Sequence, residues 1–415
     1  FIYKGENLNI PAIAAELKVN HILEGSVRKA GNRVRITAQL IDTSDDRHLW
    51  SDTFDRELDD IFAIQDEIAN SIVDALKNEL GIGLESVSVA VATENLDAYD
   101  SYLKARGLFI ARQDLEISRQ ILEQAVALDP EFAMAWELLA AVHSVSSSWL
   151  AGDGIDHDTL ALEAARQALE IDPDLSMAHA VIGMTVINDQ PYDVALKSLD
   201  TAIENDPKNA TAWLWRGIQL KQAGYMDLAI SDFEKCLSID PGYLNCKSHL
   251  ASAHLFKGDA ERGAQILEQV ARENFHSTND DFVAHYVKTG QTFTASLLAS
   301  ASVAGTYAPV KEWIRAIENP GRPNAASEAK YRRWAESNNF DLCVLGATIV
   351  AFRWDHCFSS AQPGAMQVIW HPDAAYFRKS PEFNHLVNSR MMSLWRVKGF
   401  PPQCRDLGEG DIECD

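Results

Sequence analysis

The sequence has no apolar run long enough to cross a membrane. About 18 residues are needed, and the longest apolar run, residues 342–352, is roughly half that. Basic residues are scarce, with 37 Lys and Arg against 60 Asp and Glu and a net charge of −23. That balance excludes a nucleic-acid-binding surface over most of the chain. The six cysteines, Cys236, Cys246, Cys343, Cys357, Cys404 and Cys414, include no Cys-x-x-Cys pair. A zinc or thioredoxin-type reading is correspondingly weak, and Cys236 reads as a small buried apolar residue. There is no nucleophile elbow, kinase signature or phosphate loop, and no His/Cys/Asp cluster at ligand spacing. The expectation is a protein that is not an enzyme and needs neither cofactor nor metal. An initiating methionine is also missing. Phe1-Ile2-Tyr3 reads as mid-domain strand, so the sequence is expected to belong to a longer chain. The lack of a membrane segment therefore leaves the parent's compartment, periplasmic or cytoplasmic, open.

What is present is a period. Asp-Pro occurs at Asp172-Pro173, Asp206-Pro207 and Asp240-Pro241, at intervals of 34 residues. Between the prolines the residue types recur in register: Gly183 with Gly217, Ala195 with Ala229, Leu199 with Phe233, Ala202 with Cys236. Glycine inside a helix costs about 1 kcal/mol against alanine, so close approach of a second helix is expected at Gly183 and Gly217. The alanines are the small partners that allow it. Proline ends each second helix, since it lacks a donor and restrains the residue before it. The period and these residues, with Trp213, Gly217, Ala229, Phe233 and Pro241 in signature slots, resemble the tetratricopeptide repeat (TPR). The resemblance implies helix-turn-helix units stacked into an α-solenoid that binds a protein or peptide.

Residues 1–84 have another texture. A short helical patch at 11–17 is followed by a strand at 21–29, a Gly31-Asn32 turn, and a strand in which Val34, Ile36, Ala38 and Leu40 alternate with polar residues. Asp45-Asp46 marks a further turn before a third strand at 48–54. Asp59 and Asp60 can cap a helix carrying Ile61, Ile64, Ile68 and Ile72. The fold class expected is mostly α: a TPR-type solenoid preceded by a small, incomplete α/β domain. The run 22–42, with His48-Leu49-Trp50 and residues 60–69, resembles the TolB-like/FlgO-like domain. That resemblance implies a bacterial signalling protein with an upstream output module, either a winged-helix regulator or a class III adenylate/guanylate cyclase. Arg28, Lys29, Arg33 and Arg35 form a basic patch read as a solvated strand face.

The expected organisation is an α/β domain at 1–84, a linker at 85–95, a TPR array at 96–275, degenerate helical repeats at 276–370 and a capping tail at 371–415. The interval from Pro130 to Pro173 is 43 residues, nine over the period, and the surplus is assigned to a loop at 144–158. His157, between Asp156 and Asp158, reads there as a solvated residue rather than a metal ligand. Helices are expected at 310–317 and 326–337, separated by a break at 319–324. The tail, with Trp370-His371-Pro372, Phe377-Arg378, Pro381, Phe383, Trp395-Arg396 and Cys404, is similar to the tail of TolB-like/TPR proteins. It is read as a cap on the open end of the array.

The TPR resemblance implies a groove lined by fixed positions of each first helix. These are Met134, Glu137 and Ala141; Met177, Ala180 and Met184; Thr211, Leu214 and Ile218; and Asn245, Ser248 and Ser252. No lysine or arginine is among them, so a carboxylate clamp is not expected. Methionine-lined grooves suit apolar helices or extended peptides. A rival is that tail residues 377–395 fold back and fill this groove. Cys404 and Cys414 enclose a short loop containing Gly408 and Gly410, and either a disulfide or two free thiols fits, according to compartment.

Overall fold

The structure is a computed structural model. It describes residues 10–17, 19–31, 33–57, 61–80, 93–111, 114–149, 154–186, 190–272, 280–301, 310–318, 325–337, 350, 355–359, 366 and 368–415. The expected cap at Asp59-Asp60 and the break at 319–324 lie outside these residues, as does most of the linker. The chain divides into two compact units, Phe1–Met134 and Ala135–Asp415.

In the first unit, α1 (Ile10–Leu17) precedes a meander of β1 (His21–Ala30), β2 (Arg33–Asp42) and β3 (Arg47–Glu57). All neighbours are antiparallel, in the order β1-β2-β3. Gly31 takes a φ of 62° in the first turn, a conformation open to glycine at no steric cost. Alternation sends Val34, Ala38 and Leu40 to the buried face with Phe54. Helix α2 (Ile61–Leu80) packs against β3. On the opposite face, Arg33 and Arg35 both reach Asp55, at 2.7 and 2.5 Å. Arg35 first, then Arg33, hold that carboxyl below its ordinary range. Two of the three arginines of the basic patch, Arg33 and Arg35, are thus paired on their own sheet.

Helices α3 (Leu96–Ala111) and α4 (Leu115–Leu128) form the first antiparallel pair. The next helix, α5, is Ala133–Trp149. The second unit continues with α6 (His157–Ile171), α7 (Ser176–Val186), α8 (Tyr192–Asn205), α9 (Ala210–Gln222), α10 (Met226–Ile239), α11 (Leu244–Lys257) and α12 (Ala260–Arg272). The residue before each proline is extended, as proline requires: Asp129, Asp172, Asp206 and Asp240 all have φ between −142° and −129°. Each carboxylate then accepts the backbone N–H two residues on, at 2.9–3.1 Å. The Asp-Pro pair is thus a helix stop and an Asx turn in one device.

Close approach explains the glycines. A Cβ on Gly217 would lie 2.6 Å from the Phe233 ring, and one on Gly183 would lie 2.8 Å from the Ala195 carbonyl oxygen. The fold is mostly α, a TPR-like solenoid with a small three-stranded sheet near the N-terminus.

The loop expected at 144–158 is shorter than predicted, because α5 runs on to Trp149. Ser146 and Ser147 lie inside that helix, their hydroxyls donating back to the carbonyls of Val142 and Ser144 instead of competing for the helix's own N–H groups. His157 is not solvated. It is buried and its Nδ1 meets His143 Nδ1 at 2.9 Å. Beyond α12 come three shorter helices, α13 (Val283–Lys288), α14 (Thr292–Ala301) and α15 (Val310–Glu318), and then α16 (Ala325–Ser337), as long as α12.

The tail folds as helices Pro381–Arg390 and Met392–Lys398 and a hairpin of β4 (Cys404–Gly408) and β5 (Asp411–Cys414). Its target is the turn between α9 and α10, not an open end of the array. At that turn Gly224, with φ 93°, closes a Schellman motif in which Tyr225 and Gly224 donate to the carbonyls of Leu220 and Lys221. The following three carbonyls are taken by the tail. Trp370 Nε1 donates to Gln222 at 2.8 Å, Trp395 Nε1 to Ala223 at 3.0 Å, and Gln403 Nε2 to Gly224 at 2.8 Å. Helix ends leave such carbonyls orphaned, and this supplies the physical reason for the docking.

Candidate peptide groove

The groove residues divide into three groups. Met134 closes the first unit and is 36% exposed. In the second unit Met177, Met184, Thr211 and Asn245 are half-buried, while Ala141, Ala180, Leu214 and Ile218 are buried beneath. Glu137, Ser248 and Ser252 are not available as ligand contacts in the expected way. The Glu137 carboxylate accepts the N–H groups of Met177 and Ala178, at 2.8 and 3.2 Å, and so caps the start of α7. Burial raises its pKa, against the pull of those two bonds. Ser248 is buried, and Ser252 donates to Asp281 at 2.6 Å. The turn at Asp280–Phe282, which starts the next irregular unit, thus covers the polar end of the groove.

The remaining accessible strip runs from α7 to α9. Gln219 Nε2 lies 3.6 Å from Met184 Sδ, and Thr211 Oγ1 lies 3.2 Å from the Tyr243 hydroxyl. The strip can pack an apolar surface against two thioethers. It offers no cation for a carboxylate. Of the tail aromatics expected as rival occupants, Phe377 and Phe383 pack against each other, ring centroids 6.1 Å apart, and Trp395 docks on the carbonyl of Ala223.

All four described cysteines of the repeat and the hairpin are bridged. Cys404 and Cys414 are joined across β4 and β5. Cys236, read from its small-residue slot as an apolar filler, is joined to Cys246. The sequence signal lay in their separation of ten residues across the Asp240-Pro241 stop, which turns the ends of α10 and α11 toward each other.

One charged cluster escaped the sequence reading. Arg216 on α9 donates to both oxygens of Asp232, each at 2.8 Å, and to Asp200 at 2.9 Å. Asp232 is buried, and burial raises its pKa against the pull of Arg216. The signal available was register. One period to either side, the Arg216 slot holds Ile182 and Leu250.

Residues 189–243 match the family model of the tetratricopeptide repeat. The helical pairs there are therefore TPR units, which serve as protein-interaction modules. The chain is 36% identical over 191 residues to a Rhizobium meliloti (strain 1021) protein named "Putative adenylate cyclase 3", a match covering 45% of this chain and 32% of that protein. It is 26% identical over 149 residues to a Dictyostelium discoideum protein named "DnaJ homolog subfamily C member 7 homolog", covering 34% of this chain and 28% of that protein. The chain thus spans about a third or less of these relatives. Among solved structures, Pseudomonas aeruginosa pilF aligns with TM-score 0.38 at 18% identity, covering 51% of this chain and 93% of that one. A thermophilic TPR protein of Thermus thermophilus aligns with TM-score 0.36 at 17% identity, covering 42% and 90%.

Proposed function

We propose that this chain is the non-catalytic sensory and interaction region of a bacterial signalling protein. Its first part would be a TolB-like/FlgO-like domain, and its TPR array would capture an apolar helix or extended peptide. The observation that carries the capture is the strip of Met177, Met184 and Thr211, left half-buried over a floor of Ala180, Leu214 and Ile218. Flexible thioethers re-pack around different apolar ligands, which suits an interaction surface better than a fixed pocket.

The double substitution Met177→Glu with Met184→Glu tests the reading. A half-buried site accepts carboxylates at modest cost, so the melting temperature should fall little while crosslinking of a photoreactive apolar helical peptide at α7 is lost. A collapse of several kcal/mol, as for buried charges, would mean that the strip is core and not site.

A second reading places the chain as the regulatory region of an adenylate or guanylate cyclase whose catalytic domain lies upstream. The 36% identity to the Rhizobium meliloti protein favours it. Cyclic-nucleotide formation by the parent protein, with and without these residues, decides it. Equal activity and equal response to ligands in both forms would reject regulation.

A further inference from the structure

A second site in this chain is marked by a break in its own repeat pattern. The slot of Arg216 is aliphatic in the neighbouring units, where Ile182 and Leu250 occupy it. The slot of Asp232 holds Ser198 one period earlier and the buried Ile266 one period later. A slot that is aliphatic in both neighbouring units thus carries a half-buried arginine here, paired with the buried Asp232 and extended by Asp200. Such a network is poor value for stability. Replacing a buried ion pair by apolar residues of similar size is often neutral or stabilising. Departures from a protein's own local rules concentrate at functional sites.

The network lines a pocket of about 240 Å³. Leu196, Leu220 and Leu228 give it apolar walls, and the Trp213 ring stacks on Arg216, 4.7 Å from its guanidinium carbon. Two opposite charges serve the pocket from more exposed positions. The Asp200 carboxylate is 42% exposed, with one oxygen on Arg216. Lys398 is exposed, is brought to the pocket by the tail, and makes no ion pair among the described residues.

We propose that this pocket binds a free α-amino acid with a branched apolar side chain. The side chain would lie against Leu196, Leu220 and Leu228, the ammonium would meet Asp200, and the carboxylate would meet Lys398 beside Arg216. The site is separate from the Met177 and Met184 strip. It is completed only when the tail is docked, because the tail supplies Lys398.

Titration calorimetry of the intact chain with L-leucine tests the assignment, alongside isopentylamine, which lacks the carboxylate, and 4-methylpentanoate, which lacks the ammonium. Saturable leucine binding is expected, with each analogue at least about tenfold weaker. Lys398→Ala should reduce leucine to the affinity of the amine and leave the amine unchanged. Asp200→Asn should do the same relative to the acid. The double variant Arg216→Leu with Asp232→Ile should melt at or above the parent temperature and no longer bind. Absence of saturable heat with leucine, analogues that bind as well as leucine, or affinities indifferent to Lys398 and Asp200 would each overturn the proposal.

Discussion

Trp395 donates its indole N–H to the carbonyl of Ala223, 3.0 Å away and 172 residues earlier in the chain. With Trp370 on Gln222, it finishes the C-terminus of α9 after the Schellman turn has taken the two preceding carbonyls. Replacing either ring with phenylalanine keeps most of the packing and removes the donor. Each of Trp370→Phe and Trp395→Phe should cost about 1–3 kcal/mol, the cost of leaving a buried acceptor unmet. Urea midpoints with unchanged slope are the measurement. Parental midpoints in both variants would show that water satisfies these carbonyls instead.

The same substitution should have opposite signs at two helical glycines. A Cβ on Gly217 meets the buried Phe233 ring at 2.6 Å, whereas nothing lies within 4 Å of one on Gly107. Gly107→Ala should stabilise by about 0.5–1 kcal/mol through helix propensity. Gly217→Ala should destabilise by about 1–3 kcal/mol through overpacking. Thermal and urea unfolding of the pair would show whether the register of the helical contact is correct.

Acid should loosen the tail. His371 is buried, its Nδ1 accepts the Asp373 N–H at 3.0 Å, and its Nε2 lies 3.1 Å from the Asp281 carbonyl. Burial lowers its pKa below the ordinary 6.5, despite the opposing pull of Asp373 and Asp281. The unfolded chain therefore takes up this proton first as pH falls. Stability is full above about pH 7 and declines as pH drops below about 6.5. His371→Gln should flatten that decline between about pH 7.5 and about pH 5.5. His249, also depressed by burial, should leave a residual slope. A pH profile identical to the parent's would reject a neutral buried His371.

The bridge from Cys236 to Cys246 closes a loop of about ten residues, as does that from Cys404 to Cys414. On the loop-entropy model each contributes roughly 2–3 kcal/mol. Peptide mapping without reductant should recover both pairs from protein made in an oxidising compartment, and reductant should lower the urea midpoint. Alkylatable Cys236 in such material would contradict the first pairing.

Much of this architecture could be read in the residues because it is written in side chains. Asp-Pro pairs stop helices, the spacing of Gly217 and Phe233 sets a contact, and the alternation of Val34, Ala38 and Leu40 sets a sheet face. The tail's destination was not legible, since Gln222, Ala223 and Gly224 receive it through backbone carbonyls, which carry no residue identity. The groove was half legible. Register located Met177 and Met184, but it could not show that Glu137 would be used on α7 or that Asp281 would cover Ser252. Those contacts depend on how successive units tilt.

Arrays of stacked repeats ordinarily fray from their ends, since each unit touches only its neighbours. Here Trp370, Trp395 and Gln403 are anchored at the α9–α10 turn, with α11 to α16 enclosed in the loop between anchor and tail. Pulling on the C-terminus would load the indole contacts at α9 before any helix of the enclosed stretch. Rupture should thus release these later units together rather than one by one, and a force trace from that end should show one large extension where an open array would give a staircase.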